Sequence, residues 1–564
     1  MDKTHLIVID FEVFKKDWMV VIADLKTHKM SQIINDRAAL EEWWKDNQQN
    51  IMVGYNIKGY DQYILKALLA GFNPYQISHF IIQEGQAGYK FSSILNRITV
   101  RFYDVMEPQD HGLKFAEGSM GSNIKESSVP FDIDRKLTDK ELNEVLTYCR
   151  HDVEETIKVL SKRTENLKAQ LGLCKLAGQG LWNIGKTQTQ LAAIILKAVR
   201  HEYYDEFDID VPDTLDIVKY KHIVEWYKND ENMDYEKSLE TDVAGVPHTF
   251  AFGGLHGALE KYHYKGKMLM LDVESLYPSL MIRYNLHSRS IPDPSIYSKI
   301  KETRIKYKHE NNPLQLPLKL VLNKTYGAMK DKYNALYDPR QANRVCIYGQ
   351  LLILDLIEHL EPFCELIQTN TDGILISYEN RAKIDEICEE WQKRTGLKLE
   401  GTEYEEIWQK DVNNYIIRNG DKLKTKGAYV KKLTSLDYGD YPIVNQAIIN
   451  ALTQNIPVEQ TIENEKQLMH FQMVAKITGK YTSIYHGDKC LNLRCCRIFA
   501  STDKTAPGCY KRKVATLRLE KISNSPEHTF IVNDNIIDTK VDNRLDKKFY
   551  IKLAKKRLED FICI

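Results

Sequence analysis

The strongest constraint on the fold of this chain is the order of three segments in its second half. LDVESLYPSL (271–280) and QTNTDGILIS (368–377) each place an aspartate at the end of an apolar strand, and LKLVLNKTYGAM (318–329) lies between them with a helical pattern. Two aspartates from separate strands can hold two divalent metal ions, and a lysine on a facing helix can hold a chain of phosphates. The order therefore predicts two strands and one helix arranged around a single acidic site.

Length and charge bound the class of protein. A chain of 564 residues is too long for one core and predicts three or more structural units. The net charge is zero, from 78 basic and 78 acidic residues, which argues weakly against nucleic-acid binding. Three segments are nevertheless locally basic, at 421–432, 509–521 and 547–557, so a basic groove is compatible with a net charge of zero. For each segment alone, a solvated surface is an equally good interpretation.

The cysteines and the N-terminus bear on the cellular compartment. Ten cysteines occur without C-x-x-C spacing, which favours reduced thiols in an intracellular protein. The start MDKTHLIVIDFE lacks the pattern of a signal peptide, and no apolar run approaches the length of a membrane span. We expect a cytoplasmic protein (host cytoplasm if it is viral) with no membrane contact.

Periodicity divides the chain into regions. Strands are predicted at 5–13, 18–24, 51–55 and 97–105, with helices near 60–70 and from Asp139 to about Leu167, which predicts an α/β domain over 1–165. Residues 166–250 are predicted to be largely helical. Further predicted elements are a strand at 268–272, helices at 295–309, 314–330, 340–360 and 547–561, and two strands at 364–369 and 374–378 around a turn at 370–373.

The first half carries its own set of acids. Asp10 and Glu12 are two residues apart on an apolar strand, so both side chains point to one face, and two adjacent carboxylates in a buried strand favour a cation between them. Tyr148 and Asp152 are one helical turn apart on one face of the long predicted helix, and a tyrosine there can orient the attacking water. Asn56 and Asp61 lie in GYNIKGYD. The set suits metal-assisted phosphodiester hydrolysis.

The second half suits the opposite reaction. Asp272 and Asp372 are the two strand-end metal ligands, and the backbone carbonyl of Val273 can complete the coordination. Tyr277 follows the first aspartate and can lie under an incoming sugar, where its ring would exclude a 2′-hydroxyl; ordinary core packing is the alternative. These groups are the minimum for transferring a nucleotidyl group.

The helical segment between them offers phosphate and base contacts. Lys319, Asn323 and Tyr326 share one helical face, where lysine suits phosphate and tyrosine offers a stacking surface. Arg304 and Lys308 share a face of the preceding helix. For this pair a phosphate clamp and a solvated face are equally good interpretations.

The first acidic set resembles the DEDD-type 3′–5′ exonuclease domain attached to replicative DNA polymerases. The D-x-E, N-x-x-x-Y-D and Y-x-x-x-D elements occur in that order. The resemblance implies that Asp10, Glu12, Asp61 and Asp152 are the metal-binding acids, that Tyr148 is the tyrosine of the Tyr-bearing subtype and that Asn56 contacts the single-stranded end.

The second set resembles the three palm and fingers motifs of family B DNA polymerases, D-x-x-S-L-Y-P-S, K-x-x-x-N-S-x-Y-G and Y-x-D-T-D-S. The departures are Lys324 for Ser, Asn370 for the first Asp of the third motif and Gly373 for its Ser. The family's direct metal ligand in that motif is kept as Asp372. With the exonuclease elements, the resemblance covers about residues 5–430.

Two further segments resemble contacts to the DNA strands. FAFGGLHGA (250–258) resembles the family's Y-x-G-G template contact through Gly253 and Gly254, with Phe in place of Tyr. The family's K-x-Y primer contact falls at Asn413–Tyr415, where the lysine is missing. Lys424 and Lys426, in KTKGAY just beyond, are candidates to hold the primer backbone instead.

The resemblance implies a multidomain α/β and α+β fold: an RNase H-like exonuclease and a right-hand polymerase with a ferredoxin-like palm, helical fingers and a thumb. It implies two Mg²⁺ (or Mn²⁺) ions per active site. Short intervals between the motifs imply a nucleic-acid primer and a compact bacteriophage-type enzyme. The implied regions are exonuclease 1–165, helical linker 166–250, palm 251–294 and 331–434, fingers 295–330, and thumb with C-terminal region 435–564.

Partners and alternatives follow from the same resemblance. The expected substrates are primer–template DNA and dNTPs, the expected accessory proteins are a clamp, a helicase or a single-strand-binding protein, and the expected state is a monomer. One alternative is a nuclease-dominant repair or recombination enzyme whose polymerase half has degenerated, motivated by Asn370 and the missing primer lysine. A second is a non-enzymatic DNA-binding scaffold, which the number of intact chemistry-bearing positions disfavours.

Overall fold

A computed structural model describes residues 4–178, 180–431 and 440–561. Lys432 of the basic segment and the predicted palm–thumb boundary at 434/435 lie outside these residues. The described chain is a mixed α/β structure with several sheets. No helix within it combines the length and apolarity needed to cross a bilayer.

The N-terminal sheet has five strands in the order β3-β2-β1-β4-β5. β1 pairs antiparallel with β2 and parallel with β4, so it lies at the centre of the sheet. These strands and the helices of the region are β1 (Leu6–Val13), β2 (Trp18–Asp24), β3 (Lys29–Ile34), β4 (Ile51–Gly54), β5 (Phe102–Asp104), α1 (Arg37–Asn47), α2 (Asp61–Ala70), α3 (Pro74–Ile82), α4 (Leu113–Ser119) and α5 (Asp139–Lys162).

The long helix α5 begins where the sequence predicts. Thr138 accepts a hydrogen bond from the backbone of Glu141, whose carboxylate returns to the Thr138 backbone, so two free N–H groups are satisfied together. The helix ends earlier than predicted. Arg163 leaves helical geometry while its guanidinium binds Asp110 and the Val105 carbonyl, and a new helix starts at the next residue. The strand predicted at 97–105 is also shorter, since only β5 is extended.

The region 166–250 is less helical than predicted. Its helices are α6 (Thr164–Leu176), α7 (Gln188–Ile195) and α8 (Lys221–Lys228). It ends in a hairpin of β6 (Leu239–Val243) and β7 (Val246–Phe250). Ala244 and Gly245, between the two strands, both have positive φ, which matches the twist of a two-residue hairpin.

The largest sheet has nine strands in the order β14-β13-β12-β9-β11-β10-β8-β7-β6. Consecutive strands in this order pair antiparallel throughout. The strands not yet given are β8 (His256–Ala258), β9 (Tyr262–Val273), β10 (Cys364–Asn370), β11 (Gly373–Tyr378), β12 (Leu399–Asp411), β13 (Asn414–Asn419) and β14 (Lys422–Lys426).

Helices cover one face of this sheet. The predicted helical pair at 295–309 and 314–330 and the predicted helix at 340–360 agree with the structure to within one residue at each end. Leu269, Leu271 and Val273 of β9 share one core with the buried side chains of the longest of these helices. The helices are α9 (Leu276–Arg283), α10 (Ser295–His309), α11 (Gln315–Lys330), α12 (Pro339–Leu360) and α13 (Arg381–Thr395).

The C-terminal region has a separate core built around two small sheets. Their strand orders are β15-β18-β21 and β17-β16-β19-β20. The elements are α14 (Pro442–Gln454), α15 (Val458–Asn464), β15 (Met473–Lys476), β16 (Tyr481–His486), β17 (Lys489–Cys490), β18 (Cys495–Ala500), β19 (Cys509–Lys513), β20 (Leu519–Lys521), β21 (Thr529–Ile531) and α16 (Lys547–Leu558).

The C-terminal region docks onto α4 and the loop that follows it. Phe115 and Ile124 form a small apolar cluster with Val474 and Cys495. Glu126 accepts hydrogen bonds from the backbone N–H groups of Arg494 and Cys495. The buried Arg497 donates to the carbonyls of Ser122, Val532 and Asp534. The first and last regions of the chain are thus in direct contact.

Candidate functional site

The four acids of the first set converge at the junction of β1, α2 and α5. Glu12, Asp61 and Asp152 are only 4–8% exposed. Asp61 is the first residue of α2 and accepts a hydrogen bond from the Phe11 backbone N–H at 3.0 Å. Asp10 receives the Cys149 thiol, from α5, at 3.3 Å. The structure therefore brings together four carboxylates from three elements.

Burial and mutual repulsion raise the pKa values of these acids. Burial is the first cause at all four positions, and neighbouring carboxylates add to it. The pKa of Asp61 rises to about 7 and that of Asp152 to about 6, while those of Asp10 and Glu12 are well above their usual range. A cluster of this kind gains greatly from a cation that allows all four groups to ionise.

Lys114 supplies one such charge and was not anticipated from the sequence. Its Nζ lies 2.5 Å from Asp152 Oδ1 and 3.0 Å from Glu117 Oε1, and 4.5 Å from the centre of the Tyr148 ring. Burial alone would lower the pKa of Lys114, but the Asp152 and Glu117 carboxylates raise it to about 12. The only sequence signal was a lysine in an otherwise apolar helical turn, which has no fixed spacing from the acids.

The donor set fits a divalent cation. Ligand atoms of Asp10, Glu12 and Cys149 lie within 4.8 Å of one another, and so do those of Glu117, His151 and Asp152. Glu117 is fully buried, and its Oε2 lacks a hydrogen-bond partner among the described residues. His151, interpreted from the sequence as structural, bonds the Asn123 carbonyl at 3.0 Å and lies 3.7 Å from Glu117 Oε2. Carboxylate oxygens in this arrangement are suitable ligands for Mg²⁺ or Mn²⁺.

Tyr148 and Asn56 flank this cluster. Tyr148 is half-buried on the same face of α5 as Asp152, and burial followed by the Asp152 charge raises its pKa well above the usual value, so the phenol keeps its proton. Asn56 is exposed, has a positive φ, and its backbone N–H donates to Asp104 at 2.9 Å. Asp104, which the sequence did not single out, also accepts from the Lys58 N–H and so fixes this loop.

Asp272, on β9, lies close to Asp372, which is in the turn just before the neighbouring strand β11. β10 and β11 form a hairpin in which Asn370 pairs with Gly373, which leaves Thr371 and Asp372 as the turn, as predicted. Gly373 is in turn the register partner of Asp272, and the Val273 N–H donates to the Asp372 carbonyl at 2.7 Å. Burial and the Asp372 charge raise the pKa of Asp272 to about 6.

Gly373 is required by this close approach. A Cβ atom at position 373 would overlap the Leu271 carbonyl and the Asp272 carboxylate. The turn also touches the Gly-rich segment, since a Cβ at Gly254 would overlap the Thr371 hydroxyl. Glycines at 254 and 373 therefore allow the turn that carries Asp372 to pack closely against β9 and against the Gly-rich segment.

Tyr277 and Tyr326 stand next to each other beside these aspartates. Their ring centres are 4.3 Å apart, and the Asp372 charge contributes to the raised pKa of Tyr277 after burial and Cys346. Lys319 and Asn323 lie on the same helix as Tyr326 and are exposed. The structure thus brings Tyr277 and Tyr326 together and leaves the other two side chains accessible along α11.

The two basic residues of α10 have different environments. Arg304 is 8% exposed and donates to the Ser275 hydroxyl at 3.3 Å, which ties α10 to the segment that carries Asp272. Lys308 is exposed and lies 3.6 Å from Glu400. Glu400, which the sequence did not single out, is the register partner of Asp272 on β12 and adds a third carboxylate to this side of the sheet.

The residues predicted to contact DNA come from the Gly-rich segment and from β13 and β14, and two of them lie next to the acidic turn. The Gly253 carbonyl is held by Gln350 Nε2 at 2.8 Å. Tyr415 is buried on β13, and Lys426 is its register partner on β14, with Nζ 5.8 Å from the Tyr415 ring centre. Lys424, on the same strand, is near enough to lower the pKa of Asp272 slightly against the effects of burial and Asp372.

Comparisons with known proteins add little to these sites. No protein-family model and no curated protein sequence matches the chain. Among solved structures, the chain is similar to the family B DNA polymerase from the hyperthermophilic archaeon Pyrobaculum calidifontis, with 14% identity and a TM-score of 0.44 over 99% of this chain and 78% of that one. We therefore base the function on the two acidic sites themselves.

Proposed function

We propose that this chain is a DNA-directed DNA polymerase of the family B type that also carries a 3′–5′ exonuclease. One observation supports this above the others: two separate acidic sites lie on two different sheets, the first buried and rich in carboxylates, the second a pair of aspartates beside two tyrosine rings in contact. One site suits hydrolysis of a phosphodiester and the other suits its synthesis. The proposal includes the compact, bacteriophage-type role in DNA replication.

In synthesis, Asp272, Asp372 and the Val273 carbonyl would hold Mg²⁺ or Mn²⁺. When bound, such ions lower the pKa of the attacking hydroxyl and neutralise charge on the phosphates. Lys319, Arg304 and Lys308 would neutralise the triphosphate of a dNTP. Because Lys308 pairs with Glu400, it would exchange that carboxylate for phosphate when the nucleotide binds.

The tyrosine pair would shape the nucleotide pocket. Tyr326 and Asn323 project from one face of α11, and Tyr277 packs against Tyr326. A ring fixed by a second ring is a rigid wall, so Tyr277 would exclude a 2′-hydroxyl by contact and favour deoxynucleotides. Gly253, Gly254, Tyr415, Lys424 and Lys426 would hold the template and primer backbones without reading the bases.

In editing, Asp10, Glu12, Asp61 and Asp152 would hold the cation pair that supplies the hydrolytic nucleophile. Lys114 would keep Asp152 ionised and in place, since its ammonium group contacts that carboxylate directly. Tyr148, whose phenol stays protonated, would donate a hydrogen bond to orient the attacking water. Asn56 would contact the frayed single strand.

The test is extension of a labelled primer on a DNA template with Mg²⁺, with and without dNTPs, using the wild type, Asp372→Ala and Asp10→Ala. We expect extension to be lost in Asp372→Ala alone and shortening of the primer to be lost in Asp10→Ala alone. The nuclease-dominant alternative has two observations in its favour, Asn370 in place of an aspartate and the missing lysine of the primer motif. Shortening without extension in the wild type would select that alternative.

A further inference from the structure

Asn370 contacts a lysine from a distant strand. Lys426 Nζ donates to Asn370 Oδ1 at 3.3 Å. Asn370 ends β10 and Lys426 ends β14, and four strands separate β10 from β14 in the order of the sheet. The sheet must curl strongly for the two side chains to meet, and the contact lies next to the turn that carries Asp372.

Among the described residues, the charge of Lys426 has no carboxylate partner in an ion pair. Its ammonium group faces Asn370, the Tyr415 ring and His256, whose pKa burial lowers and Lys426 lowers further. Among the ion pairs of the described residues, none includes Lys426. A lysine that contacts neutral groups beside the turn of Asp372 is suited to binding an anion.

The side chain at position 370 determines whether the positive charge of Lys426 is neutralised or remains free to bind phosphate. An amide oxygen accepts the same hydrogen bond as a carboxylate, but it does not neutralise the ammonium group. A carboxylate at 370 would form an ion pair with Lys426 and compete with any phosphate. The amide therefore orients the lysine and leaves its charge available.

The position of Lys426 beside Tyr415 also suggests a replacement for the lysine that is missing from the primer motif. Asn413 stands where that lysine would be, two residues before Tyr415 on β13, whereas Lys426 reaches the Tyr415 ring from the neighbouring strand. We infer that Asn370 is a positioning residue that, through Lys426, holds a phosphate of the primer strand next to its 3′ end. This inference rests on the proposed polymerase function.

A double-mutant cycle tests the inference with the full-length chain and a fluorescent primer–template. The dissociation constant is measured in EDTA over a range of KCl concentrations for the wild type, Asn370→Asp, Lys426→Met and the double variant. We expect each single variant to weaken binding on the order of five- to ten-fold at 0.1 M salt and to reduce the salt slope by about one. The double variant should bind as Lys426→Met does, because Asn370→Asp acts only through the lysine.

Lys422→Met is the matched control, because Lys422 lies on the same face of β14, four residues from Lys426, and is exposed. Its effect on binding should be less than about two-fold. The inference fails if Asn370→Asp weakens binding equally in the Lys426→Met background, or if the variants lower the unfolding midpoint with no change in salt slope. A wild type that binds DNA but extends no primer would instead contradict the proposed function.

Discussion

The two acidic sites differ most in how they manage negative charge. The first buries its carboxylates beneath α5 and pairs one of them with a buried lysine, whereas the second leaves Asp372 exposed at a turn and half-buries Asp272. The first site therefore accumulates protons when no cation is bound. Repulsion is thus shared among four clustered carboxylates at the first site, whereas at the second it acts on the half-buried Asp272 beside Asp372.

Removing the buried counter-ion Lys114 should produce the largest difference between the two activities, primer shortening and primer extension. We expect Lys114→Met to reduce primer shortening about 100-fold, because Asp152 loses the group that keeps it ionised and in position. Extension should remain close to wild type. Lys114→Arg, which keeps the charge, should recover part of the loss. Equal loss of shortening and extension would mean that Lys114 supports the whole fold and not one site.

Crowding the second site should have the next largest effect. We expect Gly373→Ala to reduce extension by at least about ten-fold, because the added methyl group displaces the turn that carries Asp372 and overpacking costs about 1–3 kcal/mol. Shortening should be unchanged. Gly479→Ala is the matched control, since a Cβ there meets open space and its φ is not positive. Normal extension by Gly373→Ala would show that the turn tolerates displacement.

The pH dependence of stability should separate the buried acids from the exposed ones. The folded-state pKa of Asp61 is raised to about 7, so the stability linked to this group is fully present below its unfolded value near 3.8 and is lost as pH rises through 7. In EDTA, we expect Asp61→Asn to raise the unfolding midpoint above that of the wild type by roughly 5 °C more at pH 8 than at pH 5.

Asp372→Asn serves as the comparison for this experiment, because Asp372 is exposed. Its unfolding midpoint should exceed that of the wild type at pH 8 by less than the midpoint of Asp61→Asn does, because it relieves only the repulsion of Asp272. Addition of Mg²⁺ at pH 8 should stabilise the wild type, since a ligand that binds only the folded state raises the midpoint. If Asp61→Asn changed the unfolding midpoint equally at pH 5 and pH 8, electrostatic repulsion among the buried carboxylates of the first site would be contradicted.

The smallest effect should come from the pair at the rim of the second site. Lys308 and Glu400 are 48% and 58% exposed, so their attraction is screened by water and salt. A double-mutant cycle on unfolding should give a coupling of about 0.2–1 kcal/mol. A larger coupling would mean that the pair locks α10 to the sheet and that the edge site is less open than its exposure suggests.

The parts that follow from local sequence were predictable. The pattern in LKLVLNKTYGAM and the turn at 370–373 predict α11 and the β10–β11 hairpin closely, because side-chain period and turn chemistry are local properties. The hairpin of β6 and β7 was missed, although its alternation around Ala244-Gly245 was a usable signal.

Other residues of the two sites were not predicted from the sequence, for a different physical reason. Lys114, Glu400 and the contact between Asn370 and Lys426 depend on which distant segments meet, and a sequence read in one direction carries no spacing rule for such pairs. The acids were easier to find because each follows an apolar strand or shares a helical face with another chemistry-bearing residue. The clustering of the acids was thus predictable, and their counter-charges were not.

The docking of the C-terminal region onto α4 has a consequence for synthesis of the protein on the ribosome. Arg497 binds the Ser122 carbonyl across 375 residues of chain. At roughly 5–20 residues per second, translation would reach Arg497 about 20–75 s after Ser122. During this interval Phe115 and Ile124 lack their apolar cover from Val474 and Cys495. The region around α4 is therefore completed only after the C-terminal region has been synthesised.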